Sequence, residues 1–310
     1  MRNKALDFYR CLLMFGICLL HSIAQAGHNT AWAANMLQWC VPGFMFLSGW
    51  FGIRFSIAKI VKLYGICLYC AAMFVIVDGV SHGGGINLVE ILDFARRRWF
   101  LNAYAVVMCF APMVNSAVER MTFRALYPLL LCAFGWSFAT TLPVVKDYVP
   151  RTPGLAAFSF LTLLGVYVVA RFCRRLYDTN DGFHRFVANR KFLAAIIAPS
   201  LLLAAIGFGD YNSPFAVLLA AGTFFVFHAF NLPDGIGRVF VWLAPSMFSV
   251  YLMHSHGHAW EYLKAVEDAV LSRGLPLPIA YLATACCVFV ACVVLDLPRR
   301  LVAFVFKRFK

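Results

Sequence analysis

The chain has little charge for its length, since only 13% of its 310 residues are charged and only 14 are acidic. Soluble domains carry roughly 25% charged residues, so this composition excludes an ordinary water-soluble domain. A polar stretch long enough to fold as a separate soluble domain is also missing between the apolar runs. We therefore expect one integral-membrane domain that covers residues 1–310.

Several other classes of protein are excluded by what the sequence does not contain. The net charge of +13 comes from short basic clusters between apolar runs, not from one basic face, so we expect no nucleic-acid partner. No Gly-x-Ser-x-Gly elbow marks a serine nucleophile, so Ser48 and the adjacent Gly49 are better interpreted as small residues at a helix contact. The eleven cysteines lie mostly in apolar segments, which favours buried hydrophobic positions over a disulfide framework.

Apolar residues make up 62% of the chain and recur from end to end. A membrane-spanning helix needs about 20 mostly apolar residues. These runs predict an all-α, polytopic membrane protein, a bundle of about ten transmembrane helices. The predicted spans are residues 5–24, 36–53, 60–80, 98–117, 124–142, 154–172, 192–208, 213–230, 238–256 and 277–298.

The distribution of basic residues predicts the orientation of these spans. With ten spans both termini lie on one side, and that side holds 20 of the 27 Lys and Arg residues. Cytoplasmic loops are enriched in Lys and Arg, so we expect cytoplasmic N- and C-termini and a multi-pass location in the cytoplasmic (inner) membrane. The basic loop 171–191 would suit anionic membrane lipids. Arg96, Arg97 and Arg98 oppose the trend, so either they function on the outer side or the third and fourth spans are misplaced.

Three ionisable residues, Asp7, Arg10 and His21, lie within the first predicted span. Such residues are costly in a membrane and indicate a functional site. Asp7 and Arg10 are three residues apart, which brings them together on one helix face. Arg10 and His21 are eleven residues apart, close to three helical turns, so both project from one stripe with an axial separation of about 16 Å. Signal-peptide cleavage after Ala26 is the alternative, and it would remove His21.

Four motifs in chain order carry a family resemblance. They are Leu-Asp-Phe-Tyr-Arg at 6–10 with Leu-His-Ser at 20–22, Val-Pro-Gly-Phe-Met-Phe-Leu-Ser-Gly-Trp at 41–50, an aromatic segment at 99–115, and Val-Tyr-Leu-Met-His at 250–254. This set resembles the integral-membrane acyltransferase family called acyltransferase 3, in which an Arg and a His separated by ten residues open the first helix. The resemblance covers the whole chain.

The chain departs from this family after the second span. Many members have Arg-x-x-Arg there, whereas this chain has Arg54, Lys59 and Lys62. Lys59 and Lys62 keep the spacing and the charge. Lysine lacks the guanidinium fork, so attraction to phosphate is retained while bidentate recognition is lost.

The resemblance implies transfer of an acyl group, expected to be acetyl, from acyl-CoA to a hydroxyl of a surface or lipid-linked saccharide. A histidine is suited to take the proton of an attacking hydroxyl, so His21 is expected to be the general base. The resemblance further implies that Asp7 and Arg10 join His21 at the catalytic site, and it gives two binding sets. The donor set is Arg10, Arg54, Lys59, Lys62 and Ser48, and the acceptor set is Trp99, Tyr104, Asn115 and His254.

Other functions remain open at this stage. A multispan transporter or flippase for a saccharide or lipid would also need Arg and His within the membrane, and a structural partner in polysaccharide assembly would not need His21. His254, His256 and His258 alternate as metal ligands can, but no carboxylate or thiolate accompanies them, so we expect no metal. We also expect no tightly bound cofactor, with acyl-CoA as a co-substrate. Direct transfer and an acyl-enzyme relay are equally compatible with the sequence.

Overall fold

A computed structural model describes residues 3–25, 30–82, 88–141, 160–255 and 257–308. These residues form helices joined by short turns, and no β-strand occurs among them. The predicted all-α, polytopic membrane fold is confirmed.

The helices are numbered in chain order. They are α1 (Lys4–Gln25), α2 (Ala31–Asn35), α3 (Cys40–Phe51), α4 (Ile57–His82), α5 (Leu88–Arg96), α6 (Trp99–Arg120), α7 (Phe123–Thr141), α8 (Phe160–Thr179), α9 (Asp181–Ala188), α10 (Arg190–Leu203), α11 (Pro214–His228), α12 (Asp234–Leu243), α13 (Met247–His254), α14 (Gly257–Leu271) and α15 (Leu277–Arg308). A π-helical turn at Ala204–Phe208 extends α10, and a 3₁₀ turn at Ala244–Ser246 joins α12 to α13.

Six helical segments of the described chain are long and apolar enough to cross a membrane alone. They are Lys4–Ala24, Ile57–Val77, Trp99–Arg120, Arg190–Phe208, Asp234–His254 and Leu277–Val305. Two shorter apolar helices are Phe123–Cys132 and Pro214–His228. Each of the ten predicted spans contains a helix in its described part, although their bounds differ from the prediction.

The helix found at the second predicted span, residues 36–53, is shorter than predicted. Helix α3 has only 12 residues and ends where Gly52 adopts a left-handed conformation with φ of 73°. Glycine takes this conformation without a steric penalty and commonly terminates helices. The residues just before α3 do not extend it: residues 31–35 form α2, and residues 36–39 form a turn.

Helix α1 is the most deeply buried of the six spans and packs against α3, α11, α12, α13 and α15. It is therefore an integral part of the bundle's core. Ala26, at the possible signal-peptide site, lies outside the described residues.

The cysteines form no disulfide. Cys67 and Cys70 are buried as predicted, but Cys109, Cys132, Cys286 and Cys287 are exposed on α6, α7 and α15. The prediction of burial was wrong at those four positions, because lipid tails are apolar and can cover a side chain that the protein leaves uncovered.

Candidate active site

The stripe of α1 that joins Arg10 to His21 forms one wall of a cavity of about 260 Å³. Met14, Ile17 and His21 all line this cavity. Their spacing of three and four residues continues from Arg10, as expected for one face of a helix. The predicted stripe therefore borders a space that a small acyl group can enter.

Aromatic rings form most of the remaining wall. Trp99 and Tyr104 of α6, both predicted from sequence, line the cavity together with Tyr251 of α13. Trp99 stacks on Tyr211 with the ring centroids 5.8 Å apart, and Tyr104 stacks on Phe100 at 6.0 Å. Planar aromatic faces of this kind suit both an acyl chain and a sugar ring.

His21 contacts a second histidine at one side of the cavity. Its Nδ1 lies 3.0 Å from Nε2 of His254, the last residue of α13. The Nδ1 of His254 lies 2.6 Å from the carbonyl oxygen of Val250. His254 is 1% exposed and does not line the cavity, so it lies behind His21 and not beside a substrate.

Ser48 lines the cavity on α3. Its hydroxyl donates to the carbonyl of Phe44 at 2.9 Å and accepts a long hydrogen bond from the hydroxyl of Tyr104 at 3.5 Å. Neither partner is a base that activates a serine nucleophile. The adjacent Gly49 packs against the backbone of Tyr167 in α8, so the predicted close helix contact is found at Gly49.

The end of the stripe opposite His21 holds the Asp7–Arg10 pair. Arg10 Nη1 donates to Asp7 Oδ1 at 2.8 Å, and the Asp7 side chain is 1% exposed while that of Arg10 is 36% exposed. Arg10 also interacts electrostatically with Tyr104 in the cavity wall. The pair thus presents its cation, not its carboxylate, to the surroundings.

The other basic residues of the predicted donor set lie outside the cavity. Arg54, Lys59 and Lys62 are exposed, in the loop after α3 and the first turns of α4. Lys59 Nζ donates to the carbonyl of Arg54 at 3.3 Å. Arg171 of α8 packs beside Gly52 at the start of the same loop, and the sequence motifs did not single it out for the donor site.

Asn115 also lies away from the cavity. Its Oδ1 accepts from the Tyr167 hydroxyl at 2.8 Å, and its Nδ2 donates to the carbonyl of Ile53 at 3.1 Å. The amide of Ile53 donates to the Tyr167 hydroxyl at 2.8 Å, which closes the network. Asn115 therefore holds the turn after α3 in this structure, and acceptor binding by it stays a prediction.

The three consecutive arginines differ in exposure and in their partners. Arg96 and Arg97 are exposed and hydrogen bond to Asp93, and the bond from Arg96 lowers the pKa of Asp93 below its ordinary value. Arg98 is 4% exposed and binds Ser255, next to His254. The helices at the third and fourth predicted spans are Ile57–His82 and Trp99–Arg120, close to the predicted bounds, and a function of the three arginines on the outer side stays a prediction.

No cluster of three or more potential metal ligands occurs among the residues that the structure describes. His256 and the side chain of His258, which complete the alternating histidines, lie outside the described residues.

Comparison with known proteins decides the family. Residues 3–297 match the profile of a family described as an acyltransferase domain. The chain belongs to the acyltransferase 3 family. No curated protein and no solved structure matches the chain. Membership of this family makes it a membrane acyltransferase and disfavours the transporter or flippase alternative.

The cavity is also lined by residues that the motifs did not single out. Tyr211 lies between the π-helical turn and α11, and Phe248 lies in the first turn of α13. The polar Asp210-Tyr211-Asn212 sequence between two apolar runs was the available signal for Tyr211. Phe248 had no such signal, because an aromatic residue in an apolar span is ordinary.

Proposed function

We propose that this acyltransferase moves an acyl group, acetyl in the first instance, from acyl-CoA to a hydroxyl of a surface or lipid-linked saccharide. His21 is the general base. The observation that carries the proposal is that His21 faces an aromatic cavity whose α1 wall leads to Arg10. A donor held near Arg10 and an acceptor held near His21 would then meet along one helix face.

The reaction uses His21 to overcome the weak nucleophilicity of a hydroxyl at neutral pH. His21 accepts the hydroxyl proton while the oxygen attacks the thioester carbonyl. Collapse of the tetrahedral intermediate forms the ester and breaks the C–S bond, and the proton passes from His21 to the departing CoA thiolate. Trp99 and Tyr104, which line the cavity, hold the acceptor against its wall. Asn115 and His254 do not line the cavity, so neither touches the acceptor in this proposal.

Acyl-CoA enters from the cytoplasm in this proposal, where its phosphates meet Arg54, Lys59 and Lys62. These residues are exposed, as a site for a soluble donor requires. Asp7 keeps Arg10 in place through their ion pair. The positive-inside bias supports cytoplasmic termini and a location in the cytoplasmic membrane. No metal, no tightly bound cofactor and no nucleic acid take part, and membrane lipids surround the bundle.

The test uses purified protein in lipid nanodiscs with radiolabelled acetyl-CoA and the saccharide fraction of the source membranes. We expect an alkali-labile label on saccharide with the wild type and its loss with His21→Ala. His184→Ala is the matched control, because His184 is exposed on α9, outside the cavity. Wild-type turnover by folded His21→Ala would refute the base assignment. Saccharide transport in liposomes without any ester formation would refute the transferase.

A further inference from the structure

The contact between His21 and His254 determines which ring nitrogens carry protons. A neutral imidazole has one N–H donor and one acceptor nitrogen. The carbonyl of Val250 can only accept, so the Nδ1 of His254, 2.6 Å away, carries the proton. The Nε2 of His254 is therefore an acceptor.

The protonation of His21 is fixed by its contact with His254. Its Nδ1 lies 3.0 Å from the acceptor Nε2 of His254, so Nδ1 of His21 carries the proton and donates. The Nε2 of His21 is then the unprotonated nitrogen. Because His21 lines the cavity while its Nδ1 is engaged by His254, Nε2 is the nitrogen available to a substrate.

We infer that His254 is a positioning residue that holds His21 in the tautomer with an unprotonated Nε2. This inference rests on the proposed role of His21 as general base. It gives His254 an indirect role, because His254 is buried behind His21 and does not line the cavity. A base needs its lone pair aimed at the acceptor hydroxyl, and a fixed partner at the other ring nitrogen provides this orientation.

His254→Leu and His254→Gln form the decisive pair of variants. Leucine fills similar space without an acceptor, whereas the glutamine amide oxygen can accept from Nδ1 of His21. Loss of an orienting partner lowers rates by about 10-fold to 10⁴-fold in comparable sites. We expect kcat to fall in that range with His254→Leu, with little change in acceptor KM, and to recover at least in part with His254→Gln. A raised acceptor KM with unchanged kcat would overturn the inference, because it would indicate direct acceptor contact.

Nitrogen NMR of ¹⁵N-histidine-labelled protein measures the tautomer without any activity. The His21 signals are assigned by their absence in His21→Ala. We expect an unprotonated Nε2 in the wild type and a mixture of tautomers in His254→Leu. A protonated Nε2 in the wild type would refute the inference even if His254→Leu fails to fold.

The failures of the two proposals are distinguishable. Activity retained by His21→Ala removes the base assignment, whatever the NMR result. Lost activity in His21→Ala with normal kcat in His254→Leu removes only the positioning role. If both proposals hold, the double variant His21→Ala with His254→Leu loses no more activity than His21→Ala alone. The effects of substitutions at residues that act as one unit are not additive.

Discussion

The guanidinium of Arg98 donates to both the carbonyl and the hydroxyl of Ser255, one residue beyond His254. It also lies over the ring of Phe94, 4.0 Å from the centroid. The last carbonyls of a helix lack intrahelical partners, and a cation at this end stabilises them. Arg98 therefore fixes the end of α13 that carries His254.

Replacement of Arg98 by Ala is expected to lower both stability and turnover. It leaves the carbonyl of the half-buried Ser255 without the Arg98 donor, which costs up to about 1–3 kcal/mol. Thermal unfolding and the transfer assay measure the two effects. Arg97→Ala is the control, since Arg97 is exposed and pairs only with Asp93 among the described residues. Equal effects of the two substitutions would contradict the capping role.

Substitution of Arg10 alone is expected to lower thermal stability more than joint substitution of Asp7 and Arg10. Arg10→Ala alone takes away the cation that pairs with the buried carboxylate of Asp7. Because the Arg10 side chain is 36% exposed, we expect a loss of stability below the roughly 3–5 kcal/mol of a fully buried pair. The double variant Asp7→Asn with Arg10→Gln removes both charges, so we expect near-normal thermal stability and a raised KM for acyl-CoA. An unchanged KM in the folded double variant would limit Arg10 to a structural role.

Ser48→Ala is expected to keep most of the wild-type turnover. The Ser48 hydroxyl donates to a backbone carbonyl and has no base beside it among its hydrogen-bond partners, so it is not poised for attack. Steady-state rates in the transfer assay, with His21→Ala run in parallel, test this expectation. Loss of activity comparable to that of His21→Ala would instead assign Ser48 a covalent role.

Gly49→Ala is expected to destabilise the bundle. A Cβ at Gly49 would lie 2.8 Å from the Tyr167 carbonyl oxygen and 2.7 Å from the Cβ of Ala170. Such overpacking costs about 1–3 kcal/mol. Gly65→Ala in α4 is the matched control, because a Cβ there meets nothing within 4 Å. The midpoint of thermal unfolding should fall only for Gly49→Ala, and a fall of equal size in both would argue against the close contact.

The sequence predicted features that depend on local spacing or on apolar length. The shared stripe of Arg10 and His21 follows from the helical period alone, whereas the cavity beside it does not. Trp99 and Tyr104 were also expected at the site, and both line the cavity. The identity of the fold followed from the repeated apolar runs.

The remaining features depend on contacts between distant segments. His21 and His254 are 233 residues apart in the chain, and no local pattern specifies that their rings meet. Asn115 belongs to the same aromatic motif as Trp99 and Tyr104, yet its side-chain amide forms hydrogen bonds with Ile53 and Tyr167. Likewise, the composition of the Arg96 to Arg98 cluster does not distinguish its buried member from the two exposed ones.

The largely apolar lining of the cavity has a consequence for side reactions. A thioester poised for transfer can also be hydrolysed, and the ratio of transfer to hydrolysis depends on how often water reaches its carbonyl. Between Arg10 and His21, α1 contributes only Met14, Ile17 and Leu20 to the wall, so this surface offers water no hydrogen-bonding side chain. If the donor is acyl-CoA, as proposed, its thioester should therefore be hydrolysed slowly beside this wall when no saccharide is present.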